Sequence, residues 1–170
     1  TSLTREISAE YNFSDKISFG STAYKGSVSD VLNRSNSTGG YNEVIDIKQE
    51  GIESSLTFKN DSQRLALTST FSKSSESSGR PQLRRPEEQY GVNYNAKLDS
   101  TLVGSYGMNV NYRHQSGAED WVGSVRQKTD STDIVNLTLS KELLGMEWFF
   151  SGSNLTDEYY QKPYGYNQEG

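Results

Sequence analysis

Hydrophobic residues recur at every second position along most of the chain, the pattern of strands with one apolar and one polar face. From Leu3 the odd positions carry Leu3, Ile7, Ala9, Tyr11 and Phe13, while the even ones carry Thr4, Glu6, Ser8, Glu10 and Asn12. After Ser14-Asp15-Lys16, the residues Ile17, Phe19 and Ala23 oppose Ser18, Gly20 and Thr22. Leu65, Leu67 and Phe71 continue the pattern, as do Tyr90, Val92, Tyr94, Ala96 and Leu98. Leu102, Tyr106, Met108, Val110 and Tyr112 follow, then Val135, Leu137 and Leu139, and finally Trp148 and Phe150. Phe149 breaks the last alternation, and Leu144-Gly145 marks the tight turn before it. Between Ile45/Ile47 and Ile52/Leu56/Phe58 the alternation slips at Gly51, which predicts a β-bulge there. The pattern predicts eight strands in four hairpins.

The connections sort by length. Short turns near residues 15, 61, 99 and 145 alternate with long polar segments at about 27–42, 75–87, 114–133 and from 157 onward. Alternation alone fits a soluble antiparallel sheet as well as a membrane barrel. A β-sandwich, however, has no reason to place all its short turns at one end, whereas transmembrane barrels have short turns on one side and long loops on the other. Aromatic residues near the strand ends (Tyr11, Phe13, Phe58, Tyr90, Tyr112 and Trp148) fit an interfacial girdle. The expected fold is therefore all-β: an antiparallel up-and-down transmembrane β-barrel fragment.

Composition narrows the function. Only 32% of residues are hydrophobic and mean hydropathy is −0.79, which is poor for a packed core. Eleven tyrosines argue against disorder. There is no cysteine for a disulfide scaffold or thiolate site. No apolar run approaches the roughly 18 residues of a spanning helix. A net charge of −5 without basic clusters argues against nucleic acid as a partner. No catalytic constellation is present: the single histidine, His114, falls in a polar stretch, and the acidic residues near it lack calcium-loop spacing. Neither an enzyme nor a resident cofactor or metal is expected.

The last stretch, NLTDEYYQKPYGYNQEG over residues 154–170, resembles the closing signature of TonB-dependent outer-membrane receptors. The matching residues are Asn154, Leu155, Asp157, Tyr160, Tyr164, Gly165, Tyr166 and Gly170; the Arg that follows this last Gly in the signature, and its final strand, have no counterpart. Upstream, Gly51-Ile52-Glu53 and Arg85-Pro86 resemble two strand openings of the same family, in family order. The resemblance implies that residues 1–170 are a C-terminal part of the receptor barrel, with the plug domain, earlier strands and last strand lying outside it. It implies an outer-membrane location among outer-membrane lipid, and energy-coupled import of a scarce metal chelate, a siderophore or cobalamin. Coupling would run to TonB through the N-terminal part. Such receptors capture ligand with aromatic and hydrogen-bonding loop residues, which points to Arg113, His114, Trp121, Tyr164 and Tyr166. A passive porin, a barrel adhesin and a soluble β-sandwich binding module are the alternatives.

Overall fold

The computed structural model describes residues 1–33, 43–100, 104–122, 124–161 and 167–168. The strands are β1 (Ser2–Ser14), β2 (Ile17–Asn33), β3 (Glu43–Lys59), β4 (Gln63–Glu76), β5 (Glu88–Ser100), β6 (Gly104–Gln115), β7 (Glu119–Val122), β8 (Val125–Lys128), β9 (Thr132–Leu143), β10 (Met146–Gly152), β11 (Tyr160–Gln161) and β12 (Asn167–Gln168). Eight of them form one antiparallel sheet in chain order, β1-β2-β3-β4-β5-β6-β9-β10, while β7-β8 and β11-β12 are small separate hairpins. All eight strands expected from the alternation are present in that sheet. The loops are shorter than expected because β2 runs on to Asn33 and a hairpin, β7-β8, forms inside the segment 114–133.

Register keeps the two faces apart. Tyr11 lies opposite Phe19, Phe19 opposite Leu56, Leu56 opposite Leu67, and Leu67 opposite Val92. The row continues through Tyr112 to Val135, so one apolar line crosses seven strands. Most of these side chains stay open: Tyr11 is 61% exposed and Leu56 39%. Buried hydrophobic residues among the described ones are Ile45, Ile47, Ala96 and Ile134. A soluble sandwich would cover one such face with a second sheet. Here none lies over it among the described residues, and the sandwich reading is set aside.

The opposite face is polar and internally bonded. Asn109 donates to Asn95 at 2.8 Å and Asn95 to Asn93, forming an amide chain across β5 and β6. Thr138 and Ser151 share a bond at 3.2 Å. Phe149, opposite Ser140, stands on this face and is 66% exposed, which accounts for the broken alternation.

No bulge occurs at Gly51, because its register is continuous with Tyr24 on one side and Ser72 on the other. The slip has another cause: Ile45 and Ile47 face the polar side, where they meet Val31 and Val28 across the pair. Glycine at 51 answers a close approach. A Cβ there would stand 2.6 Å from the Phe71 carbonyl oxygen and 2.7 Å from the Tyr24 hydroxyl. The irregularities lie instead between Val28 and Val31, where Asp30 has φ 63°, and between Asn12 and Ser14.

Candidate functional site at the loop end

The β4–β5 and β6–β9 connections and the segment after β10 leave the sheet at the end where β2, β4, β6 and β10 finish. Two ion pairs tie the hairpin β7-β8 back to the β4–β5 connection. The Arg84 Nε donates to both oxygens of Asp120 at 3.1 and 3.2 Å, and Asp120 also accepts the Trp121 amide at 2.8 Å. The Arg126 guanidinium donates to Glu76 at 2.6 Å and to the Pro81 carbonyl at 3.0 Å, with Glu119 3.6 Å away. Asp120 and Glu76 are both buried, so each carboxylate is compensated by an arginine. A backbone bond from the Arg84 amide to the Glu119 carbonyl completes the join.

Trp121 lies opposite Arg126 in β7-β8, with the guanidinium 5.5 Å from its ring centre. It is half-buried against its own hairpin. Arg113 lies on the polar side of the sheet, in β6 opposite Gly91 and Ile134, and is exposed. His114 belongs to β6 and not to the loop, on the apolar face. Its ring packs against Tyr90 with centroids 5.5 Å apart, and its Nδ1 is 2.9 Å from Asp133, which also accepts the Tyr112 hydroxyl at 2.6 Å. His114 is thus turned away from Arg113 by strand alternation. Tyr164 and Tyr166 lie outside the described residues.

The tail motif has a clear structural task. Asn154, at φ 47°, donates through its amide nitrogen to the Glu158 carbonyl at 3.0 Å. Its side-chain oxygen accepts from the Glu158 amide at 3.0 Å and the Thr156 hydroxyl at 3.1 Å. Thr156 also donates to the Asp133 carbonyl at 2.7 Å, and the Asn154 amide donates to Asn136 at 2.9 Å. The motif therefore stitches the chain leaving β10 onto β9. That places Tyr159 and Tyr160 beside β7-β8, in a cleft of about 410 Å³ shared with Val122, Gln127, Lys128 and Asp130. A second cavity of about 260 Å³, between Arg84, Gln115, Asp120 and Thr129, meets it at Asp130, Thr132 and Tyr160. Tyr159 and Tyr160 were visible in sequence as part of the aromatic tail; that they line a cleft depends on the turn at Asn154.

A single antiparallel sheet with one open apolar face, one hydrogen-bonded polar face, and tight turns and long loops at opposite ends is the wall of an outer-membrane-type β-barrel. Among solved structures, the sheet is similar to the ferripyoverdine receptor of the outer membrane of Pseudomonas aeruginosa bound to ferripyoverdine, with TM-score 0.75 and 13% identity over 93% of this chain and 24% of that one. It is similar to the FrpB iron transporter of Neisseria meningitidis, with TM-score 0.70 and 12% identity over 94% of this chain and 27% of that one. It also matches FpvAI in complex with pyocin S2, with TM-score 0.73 and 14% identity over 93% and 24% of the two chains. The fold is that of the barrel of TonB-dependent outer-membrane receptors, and the chain spans about a quarter of the length of the structures it matches. No family model matches the sequence, and no curated protein matches it.

Proposed function

We propose that the chain is a C-terminal stretch of a TonB-dependent receptor barrel in the bacterial outer membrane, and that the whole protein imports a ferric chelate by energy-coupled transport. The observation that carries this reading is the separation of faces and loops: an apolar face exposed across the sheet, and the long connections gathered at one end into a clefted cluster. The order of the sequence resemblances, Gly51-Ile52-Glu53, Arg85-Pro86 and the tail, supports the position within the barrel. The ferripyoverdine receptor and the iron transporter FrpB among its structural neighbours favour an iron chelate. Cobalamin is second, resting on the framework of the tail alone. In this reading the apolar face meets lipid, the polar face lines the lumen, and the loop end faces outward.

The ligand contacts proposed are Trp121 and Arg113, with Tyr159 and Tyr160 from the cleft and Tyr164 and Tyr166 from the segment beyond it. Flat, rigid aromatic surfaces bind a bulky chelate with little loss of side-chain freedom. The test is uptake of radiolabelled ferric siderophores by cells expressing the full-length gene, with and without a protonophore. Uptake that stops with the protonophore, and falls roughly thirtyfold in apparent affinity for Trp121→Ala/Tyr160→Ala, as loss of buried aromatic anchors commonly gives, supports the reading. Protonophore-resistant flux of small solutes would make the protein a passive porin. Cell attachment without flux would make it an adhesin.

A further inference from the structure

The two cavities at the loop end differ in the charge they leave unmet. The inner one, about 260 Å³, holds Arg84 and Asp120, which pair at 3.1 Å, and Glu119, which has the Arg126 guanidinium 3.6 Å away. Asp130 lines it too and has no ion-pair partner among the described residues. One carboxylate of the inner cavity is therefore unneutralised. The outer cleft, about 410 Å³, shares Asp130 and Tyr160 with the inner cavity and adds Tyr159 and Lys128. Asp130 and Tyr160 thus stand at the junction of the two spaces. On the polar side of the sheet, Glu10 falls in the same row as Arg113, and Glu6 and Glu53 lie nearer the loops. Carboxylates outnumber cations on that stretch of wall as well, a field that draws in a positively charged ligand.

We propose that the inner cavity is a subsite for an ammonium group, and that the imported chelate is a neutral hydroxamate-type ferric complex with a pendant primary amine. This names the substrate class of the function proposed above and rests on that reading. Asp130 supplies a charge-assisted acceptor for the ammonium, and Tyr160 at the same junction supplies an aromatic ring whose face attracts a cation. The inner cavity is smaller than the roughly 300–1,000 Å³ usual for a whole ligand, so it suits an arm and leaves the chelate core in the outer cleft. There the core meets Tyr159 and Lys128, whose ammonium donates to the oxygens around iron. Charge then decides the class of core. Hydroxamate groups carry one negative charge each and together neutralise ferric iron, whereas catecholate groups carry two each and leave the chelate strongly anionic. A strongly anionic core would stand against Asp130 with Lys128 to meet it. A neutral core with an amine arm satisfies both cavities.

The experiment is equilibrium binding to the full-length receptor in detergent, read by quenching of tryptophan fluorescence. The probes are the ferric complex of a linear trihydroxamate ending in a primary amine, the same complex with that amine acetylated, and a ferric triscatecholate. Acetylation removes the charge of the arm and keeps the core. The amine form is expected to bind about tenfold more tightly than the acetylated form. Asp130 is exposed and lies outside the strands, so Asp130→Asn spares the fold; it should weaken the amine form about tenfold more than the acetylated one and erase the preference. A preference that survives in Asp130→Asn overturns the assignment to the inner cavity. Equal binding of the two trihydroxamates by the parent overturns the ammonium subsite and leaves the ferric-chelate reading intact. Tighter binding of the triscatecholate overturns the hydroxamate class. A folded receptor that binds no ferric probe overturns the iron reading and this one together.

Discussion

Leu144 occupies the first central position of the β9–β10 turn with φ 56°, next to Gly145 at φ 72°, and is 86% exposed. Both central residues with positive φ make this a type I′ turn, which favours Asn-Gly because a side chain with a branched or bulky body is strained there. Leu144→Asn is expected to stabilise the hairpin by about 0.5–1 kcal/mol, measurable by denaturant unfolding in micelles. Asn154 is the opposite case: its positive φ suits asparagine, and its side chain makes bonds that alanine cannot. Asn154→Ala should cost about 2 kcal/mol and release the segment after β10, seen as faster amide exchange at Leu155 and Glu158. Gly51→Ala forces a methyl against the Phe71 carbonyl and the Tyr24 ring, and should cost about 1–3 kcal/mol. The bulge expected at Gly51 and the close approach found there share one sequence signal, a glycine within a strand; only the neighbouring strand tells them apart.

At the scale of elements, the hairpin β7-β8 is the part the sequence concealed. Its strands, EDWV and VRQK, are too short for alternation to register, and the surrounding residues read as loop. What orders it is contact with a segment some forty residues away, through Arg84–Asp120 and Arg126–Glu76. Arg126→Gln leaves the buried Glu76 without its cation, so the hairpin should detach at a cost of about 3 kcal/mol. Limited proteolysis should then cut within 119–128 while the eight-stranded sheet resists. Cleavage equal to the parent would mean that the Arg84–Asp120 pair suffices. The same connection explains the fate of the expected loop residues. Trp121 is held against Arg126, and His114 became a strand residue because β6 continues to Gln115.

At the scale of the whole sheet, the two faces ask for different solvents. Leu67 and Thr68 are neighbours in β4, but Leu67 joins the apolar line while Thr68 lies opposite Ser55 and Gly91. In a bilayer, Leu67→Lys should cost about 2–4 kcal/mol and Thr68→Lys close to nothing. Refolding yields into vesicles, compared by heat-dependent gel mobility, measure the difference; equal yields would remove the membrane assignment of the faces.

The sequence by itself determined the eight strands of the main sheet, the separation of their faces and the sorting of turns from loops. Each of these follows from local rules: side chains alternate with period two, and tight turns need particular residues. It also carried the likeness to the receptor family, because Asn154, Leu155 and Asp157 belong to a turn local enough to read along the chain. Only the tertiary structure decided which residues meet. Register placed His114 on the apolar face beside Tyr90, brought Arg126 to Glu76, set Tyr160 against the hairpin, and lined up Arg5, Lys25, Glu50 and Lys73 from four strands. These are pairings between distant segments, and their geometry exists only once the strands have chosen their neighbours.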